Sequence, residues 1–184
     1  LDVDKFLHAV RLWTITLEIS VLMAQYPSAE IARRSFEYRT LGLGYANLGA
    51  LLMVLGIPYD STRGRNMAAA VTSLMTGEAY RTSAEVAAHL GPFSRFEANR
   101  EPMLRVIRNH RRAASGQDAK EYEGLHTPPV PIDQQDCPAG LLEAVHRVWD
   151  AALDEGTRHG FRNAQVTVIA PTGTIGLVMD CDTT

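Results

Sequence analysis

The sequence predicts a predominantly helical α/β fold, and three observations carry that expectation. Apolar residues recur at helical spacing in several segments separated by Ser, Pro and Gly. One β-branched run near the C-terminal end reads as a strand, and a Gly/Thr-rich turn follows it directly. With 46% hydrophobic and 21% charged residues in 184, the chain has the composition of a globular domain with one core.

From Asp4 to about Met23, Phe6, Val10, Trp13, Leu17 and Val21 fall at helical spacing, and Leu12, Ile15, Ile19 and Leu22 spread the apolar character nearly all round. A buried helix is expected. Ser28 is a natural N-cap for a second helix from Ala29 to about Tyr38, with Glu30, Arg33, Arg34 and Glu37 on its charged face. A third, almost wholly apolar helix is expected from about Tyr45 to Leu55, deep in the fold, stopped by Gly56 and Pro58.

Asp60 or Ser61 caps a long fourth segment from Thr62 to His89, in which Gly77 is a candidate interruption and Gly91-Pro92 a terminator. Pro102 suits the first position of a fifth helix, which ends in the basic cluster Arg105, Arg108, His110, Arg111 and Arg112. A solvated face is the ordinary reading of such a run. Between Ala114 and Cys137 the periodicity vanishes among Gly116, Gly124, Pro128, Pro129 and Pro131, so residues 114–137 are expected to be a long loop, functional or mobile. Glu121 and Glu123 there have no partner that spacing identifies. A sixth helix opens at Pro138 and buries Leu141, Leu142, Val145, Val148, Trp149 and Leu153, and Gly156 and Gly160 end it. The run Ala164 to Ala170, with Val166, Thr167, Val168 and Ile169, is the expected strand.

Several function classes are disfavoured. A net charge of −3 is wrong for a surface that neutralises many phosphates, so no nucleic-acid partner is expected. Asp4, Lys5, His8, Arg11 and Glu18 interrupt the most apolar segment before it reaches the roughly 18 residues of a membrane span, so no membrane partner is expected and a cytoplasmic setting is the default. Cys137 and Cys181 lack metal-ligand spacing, and none of His8, His89, His110, His126, His146 and His159 forms an i, i+4 pair with carboxylate support, so no metal site is expected. Gly42, Gly44 and Gly49 do not match a dinucleotide fingerprint; close helix packing explains them better. The chain begins at Leu1 and stops at Thr184 just after a glycine turn, which reads as a piece of something longer.

The informative constellation is Pro171-Thr172-Gly173-Thr174-Ile175-Gly176. Glycine admits a ligand close to the backbone, successive amides turned one way form an anion-binding concavity, and threonines add hydroxyl donors. A helical turn starting here would add its positive dipole end. No lysine follows the glycines, so the phosphate-transferring P-loop pattern is absent. The turn suits gripping phosphate as a handle for chemistry elsewhere on the nucleotide.

The stretch from His159-Gly160-Phe161-Arg162-Asn163 through Pro171-Thr172-Gly173-Thr174-Ile175-Gly176 to Met179-Asp180-Cys181-Asp182-Thr183-Thr184 resembles the segment of class II, adenosylcobalamin-dependent ribonucleotide reductases that closes around the substrate phosphates. Leu41-Gly42-Leu43-Gly44-Tyr45-Ala46-Asn47-Leu48-Gly49, Gly56-Ile57-Pro58-Tyr59-Asp60-Ser61, Ser83-Ala84-Glu85 and Gly91-Pro92-Phe93 resemble the same family in the same order.

The resemblance implies part of a ten-stranded α/β barrel. Residues 1–113 would form its helical portion, 114–137 the loop, and 138–184 a helix, a strand and the phosphate loop. It implies that Pro171, Thr172, Gly173, Thr174 and Ile175 contact the phosphates, that the parent enzyme uses adenosylcobalamin to generate a thiyl radical on a ribonucleotide, diphosphate by expectation, and that a cysteine pair is oxidised to a disulfide as C2′ is reduced. The family's radical cysteine lies in an Asn-x-Cys-x-Glu motif, which this sequence lacks. Family order puts that motif before residue 1, so Cys137 and Cys181 inherit no catalytic role and the chain alone is expected to be inactive. Its partners would be the ribonucleotide and the remainder of the parent chain, and with apolar surface uncovered it is expected to self-associate. The alternative is a stand-alone helical phosphate-binding or interaction module without chemistry.

Overall fold

The computed structural model describes all of residues 1–184. Seven α-helices follow in order: α1 Val3–Met23, α2 Ala29–Tyr38, α3 Leu48–Val54, α4 Thr62–Leu90, α5 Phe96–Ala114, α6 Ala139–His159 and α7 Gly173–Val178. The main helix–helix interface joins α4 to α6, with α1 on α4 and α5 on α6.

Gly77 does not interrupt α4. A Cβ there would lie 2.6 Å from Val148 Cγ2 and 3.2 Å from the Trp149 ring, so the absent side chain lets α6 lie close. Trp149 and Val148 are buried at this crossing, and the Trp149 indole N–H donates to Ser73 Oγ at 2.8 Å. Gly156 has the same role on α6, because a Cβ would enter the Phe161 ring. Phe161 in turn packs edge-on against Tyr80 and Phe96. Phe96 and Phe161 are fully buried, and each contributes about 1.5–3 kcal/mol of transfer free energy.

Local signals set most helix ends. Ser28 accepts the Ile31 N–H to start α2, Ser61 accepts the Gly64 N–H to start α4, and Gly91 and Gly160, both at positive φ, close α4 and α6. Helix α5 departs from expectation by starting at Phe96, which places Pro102 inside it. The hydrogen bond lost at Pro102 is offset by the burial of Phe96 against Phe93 and Phe161.

Two helices lie shallower than their composition predicts. In α1 only Val10, Thr14, Glu18 and Val21 are buried, while Trp13, Leu22 and Met23 face outward. In α3 only Leu52 is buried, and Met53 and Val54 are exposed. Composition reports apolar character but not which surface finds a partner. By length and composition α1 would also suffice to cross a membrane, contrary to expectation. Here it packs on α4, with Glu18 ion-paired beneath it.

The α/β expectation fails. No sheet and no barrel form, and the run Ala164 to Ala170 is not a strand. A single parallel bridge joins Leu43 to Thr167, supported by Leu41 N–H to Gln165 O at 2.8 Å, Leu43 N–H to Val166 O at 3.0 Å and Val168 N–H to Leu43 O at 2.8 Å. The β-branched residues meet one short neighbour and nothing on the other side, and strand propensity without pairing leaves only extended chain.

Residues 114–137 hold one 3₁₀ turn, Ala119–Glu121, and are tied to the helices. Asn66 of α4 donates to the Asp133 and Asp136 carbonyls and accepts the Asp133 N–H at 2.8 Å, while Ile132 is buried.

Candidate functional site

The segment leading to residues 171–175 is placed by a buried polar network. Arg39 Nε and Arg162 Nε both donate to Glu18 Oε1, at 2.8 and 2.7 Å. The Asn163 side-chain amide donates to Glu18 Oε2 at 2.6 Å and to the Arg39 carbonyl at 2.9 Å. From α4, the Ser83 hydroxyl donates to Asn163 Oδ1 at 2.8 Å and accepts the Asn163 N–H at 3.0 Å. One carboxylate thus compensates two guanidinium groups, and Asn163 and Ser83 use its remaining neighbours, as buried polar atoms require.

Beyond Asn163 the chain runs beside Leu41–Leu43, buries Val166 and pairs the Thr167 hydroxyl with that of Thr76 at 3.1 Å. Residues 168–171 are exposed. Thr172 then adopts the left-handed conformation, φ 57, and α7 starts at Gly173. The amides of Gly173, Thr174 and Ile175 head this helix, where no carbonyl one turn earlier belongs to it, and Thr172 supplies no side-chain cap. The Thr172 hydroxyl donates to the Pro171 carbonyl at 2.8 Å. Pro171, Gly173, Thr174 and Ile175 are exposed, and nothing lies within 4 Å of where a Gly173 Cβ would stand. The helical turn that would follow the glycine is therefore present, and the approach to its first amides is open.

After α7, Asp180 at φ 55 reverses the chain, the Cys181 N–H bonds Gly176 O at 2.9 Å, and Thr183 returns to α3. No Lys or Arg occurs between Asn163 and Thr184, so the turn offers backbone and hydroxyl donors but no cation. Cys137 and Cys181 are free and half-buried, and burial, aided by Asp136, raises the Cys137 thiol pKa. A cleft of about 710 Å³ lies elsewhere, between α4 and residues 130–135, lined by Thr62, Arg65, Asn66, Ile132 and Gln134.

Gly42, Gly44 and Gly49 do not serve helix–helix packing. A Cβ at Gly42 would lie 3.0 Å from Val168 Cγ1, at Gly44 2.5 Å from the Val168 carbonyl, and at Gly49 2.9 Å from Thr183 Cγ2, so all three make room for the segments flanking residues 171–178. The basic cluster is not simply a solvated face either. Arg108 and Arg112 hold Glu123 at 2.7 and 2.5 Å, and Arg111 pairs with Asp150. Sequence reading missed these partners and the Glu18 network, which join residues far apart in the chain.

Fold and site together define a predominantly helical unit that presents an open, uncharged, donor-rich turn pinned on both flanks. The family model described as "Ribonucleotide reductase, barrel domain" matches residues 1–184, and the chain belongs to that family. It is 62% identical to a vitamin B12-dependent ribonucleotide reductase of Agrobacterium fabrum and 61% identical to one of Bradyrhizobium diazoefficiens, in each case over 100% of this chain. The chain spans only 14% and 15% of those two relatives. A ribonucleoside-diphosphate reductase large chain of Encephalitozoon cuniculi is 22% identical over 93% of this chain and 19% of its own length.

Proposed function

We propose that this chain supplies the substrate-phosphate grip of a vitamin B12-dependent ribonucleotide reductase. Pro171, Thr172, Gly173, Thr174 and Ile175 hold the diphosphate of a ribonucleotide, and the radical cysteine lies in the remainder of the parent protein. The observation that supports this most is the open left-handed turn at Thr172, which leads into a helix whose first amides no side chain caps. Amides and the Thr174 hydroxyl there orient the phosphates, and the absence of a following lysine fits a turn that binds phosphate without transferring it.

Adenosylcobalamin would supply radical initiation in such an enzyme. No residue of this chain is assigned to the cofactor, and no step is routed through it. The work assigned to this chain is to bind and orient.

Thr174→Val in the intact reductase tests the reading. Losing a hydroxyl donor to an anionic oxygen costs about 1.5–3 kcal/mol, a weakening of nucleotide affinity of roughly tenfold to a hundredfold. Unchanged affinity together with abolished radical formation would show that the residue serves the chemistry instead of the grip.

A further inference from the structure

We propose that Asn47 is a positioning residue for the phosphate turn, acting as a latch on its C-terminal flank. This rests on the reading of residues 171–175 as the phosphate grip. Asn47 precedes α3 in the left-handed conformation, φ 73, and gives α3 no side-chain cap. Its carboxamide oxygen instead accepts the Thr183 N–H at 3.1 Å and the Thr183 hydroxyl at 3.3 Å. The Thr183 hydroxyl oxygen in turn accepts the Ala50 N–H at 3.2 Å, satisfying an amide in the first turn of α3 that Asn47 leaves open.

The consequence lies in what this joins. The N-terminal flank of the turn, Gln165 to Val168, is bonded to Leu41 and Leu43. The C-terminal flank is bonded to Asn47 and Ala50. Both ends of the excursion that carries residues 171–178 are therefore fixed to one ten-residue stretch, Leu41 to Ala50. That stretch is itself moored to α4 by the Tyr45 hydroxyl on Thr72 at 2.7 Å. Gly44 and Gly49 stand where a side chain would push the two flanks off. With its termini clamped, a short α7 that buries only Gly176 holds one orientation; with one end released, nothing in its own packing does so.

The left-handed backbone at Asn47 gives a clean test in the intact reductase, because glycine tolerates that conformation while removing the carboxamide. Asn47→Ala would confound the lost acceptor with backbone strain. Asn47→Gly is expected to raise the KM for the nucleotide about tenfold, the equivalent of about 1.4 kcal/mol, with kcat at saturation within about twofold. Amides of residues 175–183 should also exchange faster. Asn47→Asp keeps the acceptor oxygen and is expected to restore the slow amide exchange, while its added negative charge disfavours the phosphate and leaves KM raised. A fold defect would lower kcat and would not be rescued by Asp in preference to Gly. Thr174→Val, measured alongside, separates the two ideas. Weakened binding in Thr174→Val with none in Asn47→Gly overturns the latch alone; unchanged binding in both overturns the phosphate grip with it.

Discussion

Glu18 and Arg39, in α1 and at the end of α2, meet at 2.6 Å with side chains only 7% and 5% exposed. Arg162 joins the same carboxylate from the segment that leads to the phosphate turn. The contact therefore ties the exit of α2 to residues 162–163, and those residues start the run beside Leu41–Leu43.

Removing the carboxylate leaves two guanidinium groups without their counter-charge, and breaking such a buried pair costs about 3–5 kcal/mol. Glu18→Ala is expected to lower the opening free energy of residues 160–166 by about that amount, read by hydrogen exchange in the intact protein. Glu30→Ala is the control, since Glu30 pairs with Arg33 and Arg34 at the surface and such pairs contribute about 0–1 kcal/mol. Equal effects for the two would remove the network from its assigned place.

Gly77→Ala and Gly156→Ala should each destabilise by about 1–3 kcal/mol through overpacking, against the roughly 1 kcal/mol gain in helix propensity that alanine brings. The added methyl at residue 77 meets Val148 and Trp149, and at residue 156 the Phe161 ring. Gly140→Ala in the first turn of α6 meets nothing within 4 Å and should be neutral or slightly stabilising. Denaturant midpoints of the three variants supply the comparison, and a stabilised Gly77→Ala would contradict the close α4–α6 crossing.

Features encoded locally were legible in the sequence. Ser28, Gly91 and Gly160 mark helix ends because a hydroxyl cap or a positive φ at glycine acts within one turn. Left-handed backbone at Arg39, Asn47, Thr172 and Asp180 was not legible, because none is glycine and each conformation is held by the residues around it. Asn47 delays α3 to Leu48. The strand expected at Ala164 to Ala170 failed because β-branching states a preference and only pairing makes a strand. The pins around the candidate site escaped notice for a related reason. Asn163 reaches Glu18 across 145 positions and Thr183 reaches Asn47 across 136, and no local pattern records such distances.

Glu123 makes the attachment of the 114–137 segment sensitive to acid. Hydrogen bonds from Arg108 and then Arg112 lower its pKa from 4.5 to about 2, and its backbone N–H and carbonyl are both bound by the Asn109 side chain. Because the folded pKa is depressed, the detached segment binds more protons in this window. The attachment is then fully stabilised above about pH 4.5 and loses that stabilisation as pH falls toward about 2. The carboxylate is a third exposed, so solvent screening reduces the effect on overall stability, and the local response is the better readout. Pepsin cleavage between Tyr122 and Leu125, compared at each pH with a Glu123→Gln variant, is expected to be slower in the native sequence near pH 5 and to converge with the variant near pH 2, both approximate bounds of the window. Identical cleavage rates near pH 5 would mean that the two arginines do not hold the segment through this charge.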